Sequence, residues 1–342
     1  MNLHISDIIK LIFVMSAFFS INANAQYEED ILGDGYLSRT IEQPDDYDGK
    51  VVCTVIKKPT MPNVKKAIVY VHGYNDYFFQ KALGDSANAH GYNFYAVDLR
   101  KYGRSLLPNQ EHFFCKKMSE YFPDIDAAVS IARQEGNEKV YLMGHSTGGL
   151  SSTLYVGQKK NTPNIDGLIL NSPFFDWNFG PMMENVLMPC VSFVGIFAKR
   201  LKVQGSNNVP SGYAQCLMKN FRGEWNYNGE WKKPYEHTKR AGWVHSINRG
   251  QIKARRHTDI KCPILLMSSD KSVKEEDDWR EEFMYADVVL DTKEIQKYGK
   301  KIGKNVTPVI IKDGMHDLIL SKKNVRDEAY KTIFEWLEKV EK

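Results

Sequence analysis

The sequence predicts an α/β fold, a mostly parallel central sheet flanked by helices and interrupted by an inserted segment. Apolar runs of strand length alternate with helical patterns through most of the chain, the order that successive strand-helix-strand units produce. One of those runs, Val140 to Met143, leads directly into Gly144-His145-Ser146-Thr147-Gly148-Gly149, which reads as a strand turning sharply into a helix. The alternation then stops between Phe175 and Asp259, where roughly 80 residues lie in place of the short connection such a unit needs.

The elements follow in chain order. Lys10 precedes the apolar run Leu11 to Phe19, and Ala23-Asn24-Ala25 has the small-x-small form of a signal-peptidase site. Residues 1–25 therefore read as a signal peptide cleaved near Ala25, and the mature chain as exported, periplasmic or secreted. That run is too short to span a bilayer comfortably. The strand candidates are Val51 to Ile56, Ala67 to Val71, Phe94 to Asp98, Val140 to Met143, Leu168 to Leu170, Ile264 to Met267 and Val309 to Ile311. Pro308 is tolerable just ahead of the last, where no ladder hydrogen bond is required. Helices are expected over Phe122 to Gln134, Gly149 to Gly157, Lys293 to Ile302 and Val325 to Val340. This gives a core from 26–175 and 260–342, with a cap inserted over 176–259. The cap's first half, Phe179 to Ala198, is apolar and methionine-rich, punctuated by Pro181 and Pro189. Its second half carries Tyr213, Trp225, Tyr227, Trp231, Tyr235 and Trp243. These side chains either form the cap's own small core or line an acyl pocket and meet a lipid surface.

Composition narrows the function. With 342 residues, 42% hydrophobic and 26% charged, the chain can bury one large core or two modest ones. The net charge of +4 is a small excess of 46 basic over 42 acidic residues, and the clusters Lys65-Lys66, Arg255-Arg256 and Lys300-Lys301 are short. Nucleic-acid binding needs a concentrated basic face with interleaved aromatics, and only the Arg249 to His257 stretch approaches it. The five cysteines show no C-x-x-C spacing, so zinc and redox motifs are absent; Cys53 and Cys262 read as small core residues, and no pairing is assigned. His-Glu-x-x-His and a glycine-rich phosphate loop are also missing, and no metal or organic cofactor is expected.

The chemistry resides in Ser146. A serine hydroxyl is a poor nucleophile unless it is held exposed beside a base, and a tight strand-to-helix turn flanked by Gly144 and Gly148 supplies that exposure. Of the nine histidines, only His316 lies beyond the last predicted strand, where the base of such a site belongs. His145 is expected to point away along the turn, and His72 to shape the loop after its strand. Two carboxylates compete for the acid. Asp270 ends the strand Ile264 to Met267, while Asp287 leaves a single helix-and-strand unit before His316 and is preferred. Asp291 is expected to start the following helix.

The elbow, the turn Val71-His72-Gly73-Tyr74, the segment Asp98-Leu99-Arg100-Lys101-Tyr102-Gly103-Arg104-Ser105 and the terminal Gly314-Met315-His316 together resemble the α/β-hydrolase superfamily. Within it they are most similar to the branch of monoacylglycerol lipases, lysophospholipases and serine aminopeptidase-like (S33) hydrolases. The resemblance implies oxyanion-binding amides at Tyr74 and Thr147. It also matches Asp287-Val288-Val289-Leu290-Asp291 to the family's Asp-x-Val-x-Asp run. Lys101 replaces the first glycine of the family's Asp-x-Arg-Gly-x-Gly-x-Ser.

Together these readings imply an exported carboxylic-ester hydrolase acting through Ser146, Asp287 and His316 on an acylglycerol, lysophospholipid or similar ester, with transient membrane contact through the cap. An aminopeptidase is the alternative, with Glu224, Glu230 or Glu236 receiving the substrate ammonium. A non-catalytic ligand-binding homologue is the third reading.

Overall fold

The computed structural model describes residues 26–59, 62–158, 164–180, 182–275 and 278–342. Residues 1–25, with the cleavage site at Ala25, and Pro181 lie outside them. The first part of the chain builds β1 (Glu28–Glu29), β2 (Leu37–Asp46), β3 (Gly49–Lys58), β4 (Lys66–Val71), α1 (Lys81–Ala89), β5 (Asn93–Asp98), α2 (Phe122–Gln134), β6 (Lys139–His145), α3 (Thr147–Val156) and β7 (Gly167–Asn171). After these come α4 (Met188–Phe197), β8 (Lys202–Gln204), α5 (Gly212–Leu217), β9 (Lys239–Arg240) and α6 (Ala241–His257). The chain closes with β10 (Ile264–Ser269), α7 (Thr292–Gly299), β11 (Val306–Ile311) and α8 (Lys323–Glu341).

Nine strands form one sheet in the order β1-β2-β3-β5-β4-β6-β7-β10-β11. The pairs from β5 through β11 are parallel, and β1, β2 and β3 add an antiparallel edge. Side-chain parity along each parallel strand separates two apolar layers, as the two-residue repeat of a strand requires. Val69, Leu142, Leu168 and Leu266 join Ile125, Leu150 and Ile247 on one face. Their neighbours Ile68, Tyr141, Ile169 and Leu265 join Leu83, Ile333 and Leu337 on the other.

Three features depart from the sequence reading. The last strand begins at Val306, so Pro308 sits inside it, opposite Leu266. It is tolerated because β11 is the sheet's edge, where an outward position lacks a ladder partner. Strand β2 was not anticipated, since only Ile41 of its ten residues is buried and no apolar alternation marks it. The 17-residue helix α6 lies within the 176–259 segment and packs on both α4 and α3. Its Gly250 allows that approach, because a Cβ there would stand 2.9 Å from Met118 and 3.2 Å from Leu154.

Lys101, in place of the family pattern's glycine, takes the left-handed conformation at φ +64. Its side chain is buried, with the ammonium 2.8 Å from Asp46 and 2.6 Å from Asp48 across the β2–β3 turn. On either side of it, Arg100 forks onto buried Asp124, and Arg104 bridges Asp30 and Asp98. All five cysteines are free; Cys53 is in the core, whereas Cys262 is only half-buried at its margin.

Candidate active site

Ser146 occupies the single residue between β6 and α3, at φ +53 and ψ −118, a conformation that L-residues adopt only under constraint. The constraint is visible in its backbone bonds. Ser146 donates to Asn171 O at 3.1 Å, and its carbonyl accepts from Phe174 N at 2.9 Å and Leu150 N at 3.1 Å. Two glycines are obligatory here. A Cβ on Gly148 would stand 2.2 Å from His72 O and 2.4 Å from Val71 O, and one on Gly144 would stand 2.6 Å from Gly148 O. The helix start is thus pressed against the β4 turn as well as its own strand. Gly73 closes the same gap from the other side, where a Cβ would stand 3.1 Å from the Ser146 Cβ.

His316 lies beyond β11 in a buried loop. Its Nδ1 is 2.9 Å from Asp287 Oδ2. The carboxylate accepts, so Nδ1 carries the proton and Nε2 keeps its lone pair. Asp287 is fully buried and firmly aimed: its other oxygen accepts from Val289 N at 2.8 Å and Leu290 N at 2.7 Å. Asp270 serves elsewhere, accepting from Asp313 N at 2.8 Å and shaping the loop that carries the histidine. Asp291 caps α7 through Lys293 N at 2.8 Å.

Tyr74 follows β4 and Thr147 opens α3, so both backbone amides flank the serine, and the first N–H of a helix has no intrahelical acceptor. His72 shapes the Tyr74 turn. Its Nε2 accepts from Leu99 N at 3.1 Å, which leaves Nδ1 to donate to Gly73 O at 2.8 Å. The expectation for His145 needs correction. Its ring is buried and turned toward the site, 4.9 Å from the His316 ring, because the turn reverses direction only at residue 146.

A cavity of about 400 Å³ brings these groups together, lined by Ser146, His316, Tyr74 and Thr147 and by Trp177, Phe179, Tyr213, Tyr227, Tyr235 and Trp243. Trp225 and Trp231 instead pack outside it: the first donates to Leu320 O at 2.7 Å, the second meets Tyr77 edge to face. The methionine-rich half does not form an interior of its own. Of α4, only Met188, Ser192 and Gly195 are buried, and Phe193, Val194, Ile196 and Phe197 face outward.

Sequence reasoning missed a buried polar group beneath the serine. Asp76, His145 and Asp317 place oxygen and nitrogen atoms within 4.8 Å of one another, and the Lys232 ammonium enters at 3.0 Å from Asp76. Burial and the neighbouring positive groups push His145 well below the ordinary histidine range, so its ring is neutral. Burial and the Asp76 charge push the Asp317 carboxyl up to about 7. Asp317 keeps one firm partner, Asn171 Nδ2 at 2.7 Å. Its position immediately after His316, as with His145 before Ser146, was the one signal available in the sequence.

A parallel sheet with a serine on such a turn, sharing a cavity with the histidine of a histidine-carboxylate pair delivered from beyond the later strands, is the architecture of the α/β hydrolases. Residues 62–323 match the family described as serine aminopeptidase, S33, and the chain belongs to it. Phospholipase YtpA of Bacillus subtilis is 34% identical over 107 residues, 31% of this chain and 39% of that protein, so the match spans well under half of that relative. A soluble variant of monoglyceride lipase from Saccharomyces cerevisiae, solved with a substrate analog, superposes with a TM-score of 0.62 at 17% identity, covering 93% of this chain and 94% of that one. The monoacylglycerol lipase of Paleococcus ferrophilus gives 0.58 at 18% identity over 84% and 98%. A carboxyl esterase from Bacillus coagulans gives 0.60 at 14% identity over 89% and 98%.

Proposed function

We propose that this chain is a serine hydrolase of carboxylic esters, acting on acylglycerols, lysophospholipids or similar lipids, with Ser146, His316 and Asp287 as its catalytic triad. The observation that carries the reading is the 2.9 Å bond from His316 Nδ1 to a carboxylate already fixed by two backbone amides, in a cavity shared with a strained serine. With Nδ1 donating, Nε2 takes the Ser146 proton as Oγ attacks the acyl carbonyl, and Asp287 stabilises the imidazolium that results. The amides of Tyr74 and Thr147 receive the oxyanion, each worth about 2.7–4 kcal/mol in the transition state. Collapse breaks the ester bond, the alcohol leaves with the proton from His316, and water repeats the sequence on the acyl-enzyme. The similarity to a phospholipase and the aromatic walls support an acyl-chain substrate.

The segment 176–259 acts in this reading as the cap over the site, within a core of 26–175 and 260–342. The outward apolar side chains of α4 support transient contact with a lipid surface. Export after cleavage near Ala25 completes the proposal. The family's aminopeptidase description favours a second reading, in which a carboxylate in the cavity holds a substrate ammonium. Of the three glutamates considered for that role only Glu236 lines the cavity, and Lys239 already pairs with it at 2.9 Å. Glu224 is committed to Arg326 at 2.8 Å.

The test combines fluorophosphonate labelling with turnover of acyl esters and aminoacyl amides by the mature protein and by Ser146→Ala. Labelling and ester turnover that both vanish in Ser146→Ala support the reading. Amide cleavage without ester turnover replaces it with the aminopeptidase.

A further inference from the structure

The cap is fastened to the oxyanion turn at three successive residues. Asn75, left-handed at φ +48, follows Tyr74 and grips the backbone of Lys233 twice, donating to its carbonyl at 2.8 Å and accepting from its N–H at 3.0 Å. Asp76 takes the ammonium of Lys232 at 3.0 Å, with both side chains buried. Tyr77 accepts from Asn228 N at 2.7 Å through its hydroxyl, and Trp231 meets its ring at 5.1 Å.

We propose that the segment Asn228–Lys233 is a latch, with Lys232 and Asn75 as positioning residues that hold the Tyr74 amide in line with the oxyanion and so couple cap seating to catalysis. This rests on the hydrolase reading for the role of Tyr74. The segment contributes nothing to the sheet, yet its side chains and backbone are spent on the turn that carries the oxyanion donor.

The charge arrangement makes the latch more than a tether. The free oxygen of Asp76 is 3.9 Å from His145 Nδ1, and that of Asp317 is 3.8 Å from the same atom. His145 is neutral, so Lys232 is the cation of this buried group. Without the ammonium, Asp76 faces Asp317 beside the Nδ1 of an imidazole that cannot compensate, and the carboxylate must take a proton or turn toward water. The first removes the charge that holds the latch segment, and the second moves the residue two positions from the donor. Gly73 lies so close to the nucleophile that a Cβ added there would stand 3.1 Å from the Ser146 Cβ, so a shift of the turn is felt at the serine.

A cap that only covers the substrate predicts something different. An acetyl ester has no chain to reach the cap, so a mere cover would leave its turnover intact and raise KM for long-chain esters alone. The latch predicts a fall in kcat on acetyl and long-chain esters alike, with KM little changed. Losing an oxyanion donor outright costs about 10²–10³ in kcat, so displacing one in Lys232→Met or Asn75→Ala should cost about 10- to 100-fold. Lys232→Arg, which restores the cation, should recover kcat to within about threefold of wild type. Hydrogen exchange of the 72–77 backbone, followed in the same folded proteins, should accelerate in both loosening variants and return toward wild type in Lys232→Arg.

Unchanged acetyl-ester kcat together with unchanged exchange at 72–77 overturns the latch. So does a loss confined to long-chain KM. Failure of the hydrolase reading shows separately, as wild type that neither labels at Ser146 nor turns over esters. In that case the catalytic role of the latch falls with it, while the exchange comparison still reports the mechanical link. If Lys232→Met does not fold, Asn75→Ala, which leaves the ion pair in place, decides the question.

Discussion

Asp287→Asn tests the proposed triad most directly. One oxygen of Asp287 receives two backbone N–H groups, from Val289 at 2.8 Å and Leu290 at 2.7 Å, and the other receives His316 Nδ1 at 2.9 Å. An asparagine must choose which side gets its single oxygen. Facing the NH₂ toward two amide donors would leave both unsatisfied, at about 1–3 kcal/mol each, whereas facing it toward the imidazole disturbs one contact that the ring relieves by changing tautomer. The NH₂ therefore faces His316, Nδ1 becomes the acceptor, and Nε2 holds the proton that should be arriving from Ser146. In a serine-protease triad the same substitution costs about 10⁴ in kcat, equivalent to about 5.4 kcal/mol in the barrier. The assay is steady-state turnover of a short acyl ester, with urea unfolding alongside to show that the fold survives. Asp270→Asn is the control: its carboxylate accepts from Asp313 N, whereas the His316 ring bonds to Asp287, so kcat should remain within about threefold of wild type. A larger loss in Asp270→Asn than in Asp287→Asn would refute the reasoning.

Three further substitutions address the scaffold around the site. Gly148→Ala puts a methyl 2.2 Å from a backbone carbonyl that cannot retreat, and should lower unfolding stability by about 3 kcal/mol, read from the urea midpoint. Lys101→Gly relieves about 1–2 kcal/mol of left-handed strain but strips the ammonium from Asp46 and Asp48, which costs about 3–5 kcal/mol, so the variant should be net destabilised by about 2 kcal/mol in the same assay. Asp317, surrounded by Asp76, Lys232, His145 and His316, holds its proton up to about pH 7 when folded and releases it in the ordinary carboxyl range when unfolded. The folded state therefore binds the extra proton across that window, and stability falls as pH rises through it. Asp317→Asn keeps an acceptor for Asn171 and removes this slope, so its urea midpoint should gain on wild type between about pH 5 and about pH 8.

The parts of the site legible in the sequence were those whose chemistry is local. A serine at φ +53 between a strand and a helix requires glycine where the backbones close to within 2.2–2.6 Å of a would-be Cβ, and that requirement leaves a visible pattern at Gly144 and Gly148. His316 and Asp287, which pair at 2.9 Å, stand out by their positions relative to the last strands, because the sheet's topology determines which loops reach the serine. The Lys232–Asp76–His145–Asp317 group left no such trace. Its members come from four separate segments, and burial, which gives them their importance, follows from tertiary packing rather than from any spacing. Strand β2 escaped for a related reason, since a half-exposed strand flanked on its outer side only by the two-residue β1 carries little apolar alternation. Helix α6 is the intermediate case: Trp243, Val244, Ile247 and Ala254 mark a buried stripe, but Arg249, Lys253 and Arg256 dominate its second half and suggest a solvated segment.

The strained residues show how this fold distributes its constraints. Ser146 and Lys101 both adopt positive φ without being glycine, and each is held by surroundings that specify one conformation. At Ser146 the restraint is backbone hydrogen bonding, which leaves the side chain free for chemistry. At Lys101 it is the side chain itself, sealed against Asp46 and Asp48, so that residue is structural and its backbone positions Phe113 through the carbonyl at 3.1 Å. Phe113 in turn packs against Tyr74 with ring centroids 5.0 Å apart. A buried ion pair thus supports one side of the Tyr74 turn through Phe113, while Lys232 and Asn75 contact the other. A lysine where the family pattern has glycine is consistent with an intact site because its charge is answered locally, and because the conformation that glycine would provide is still the one adopted.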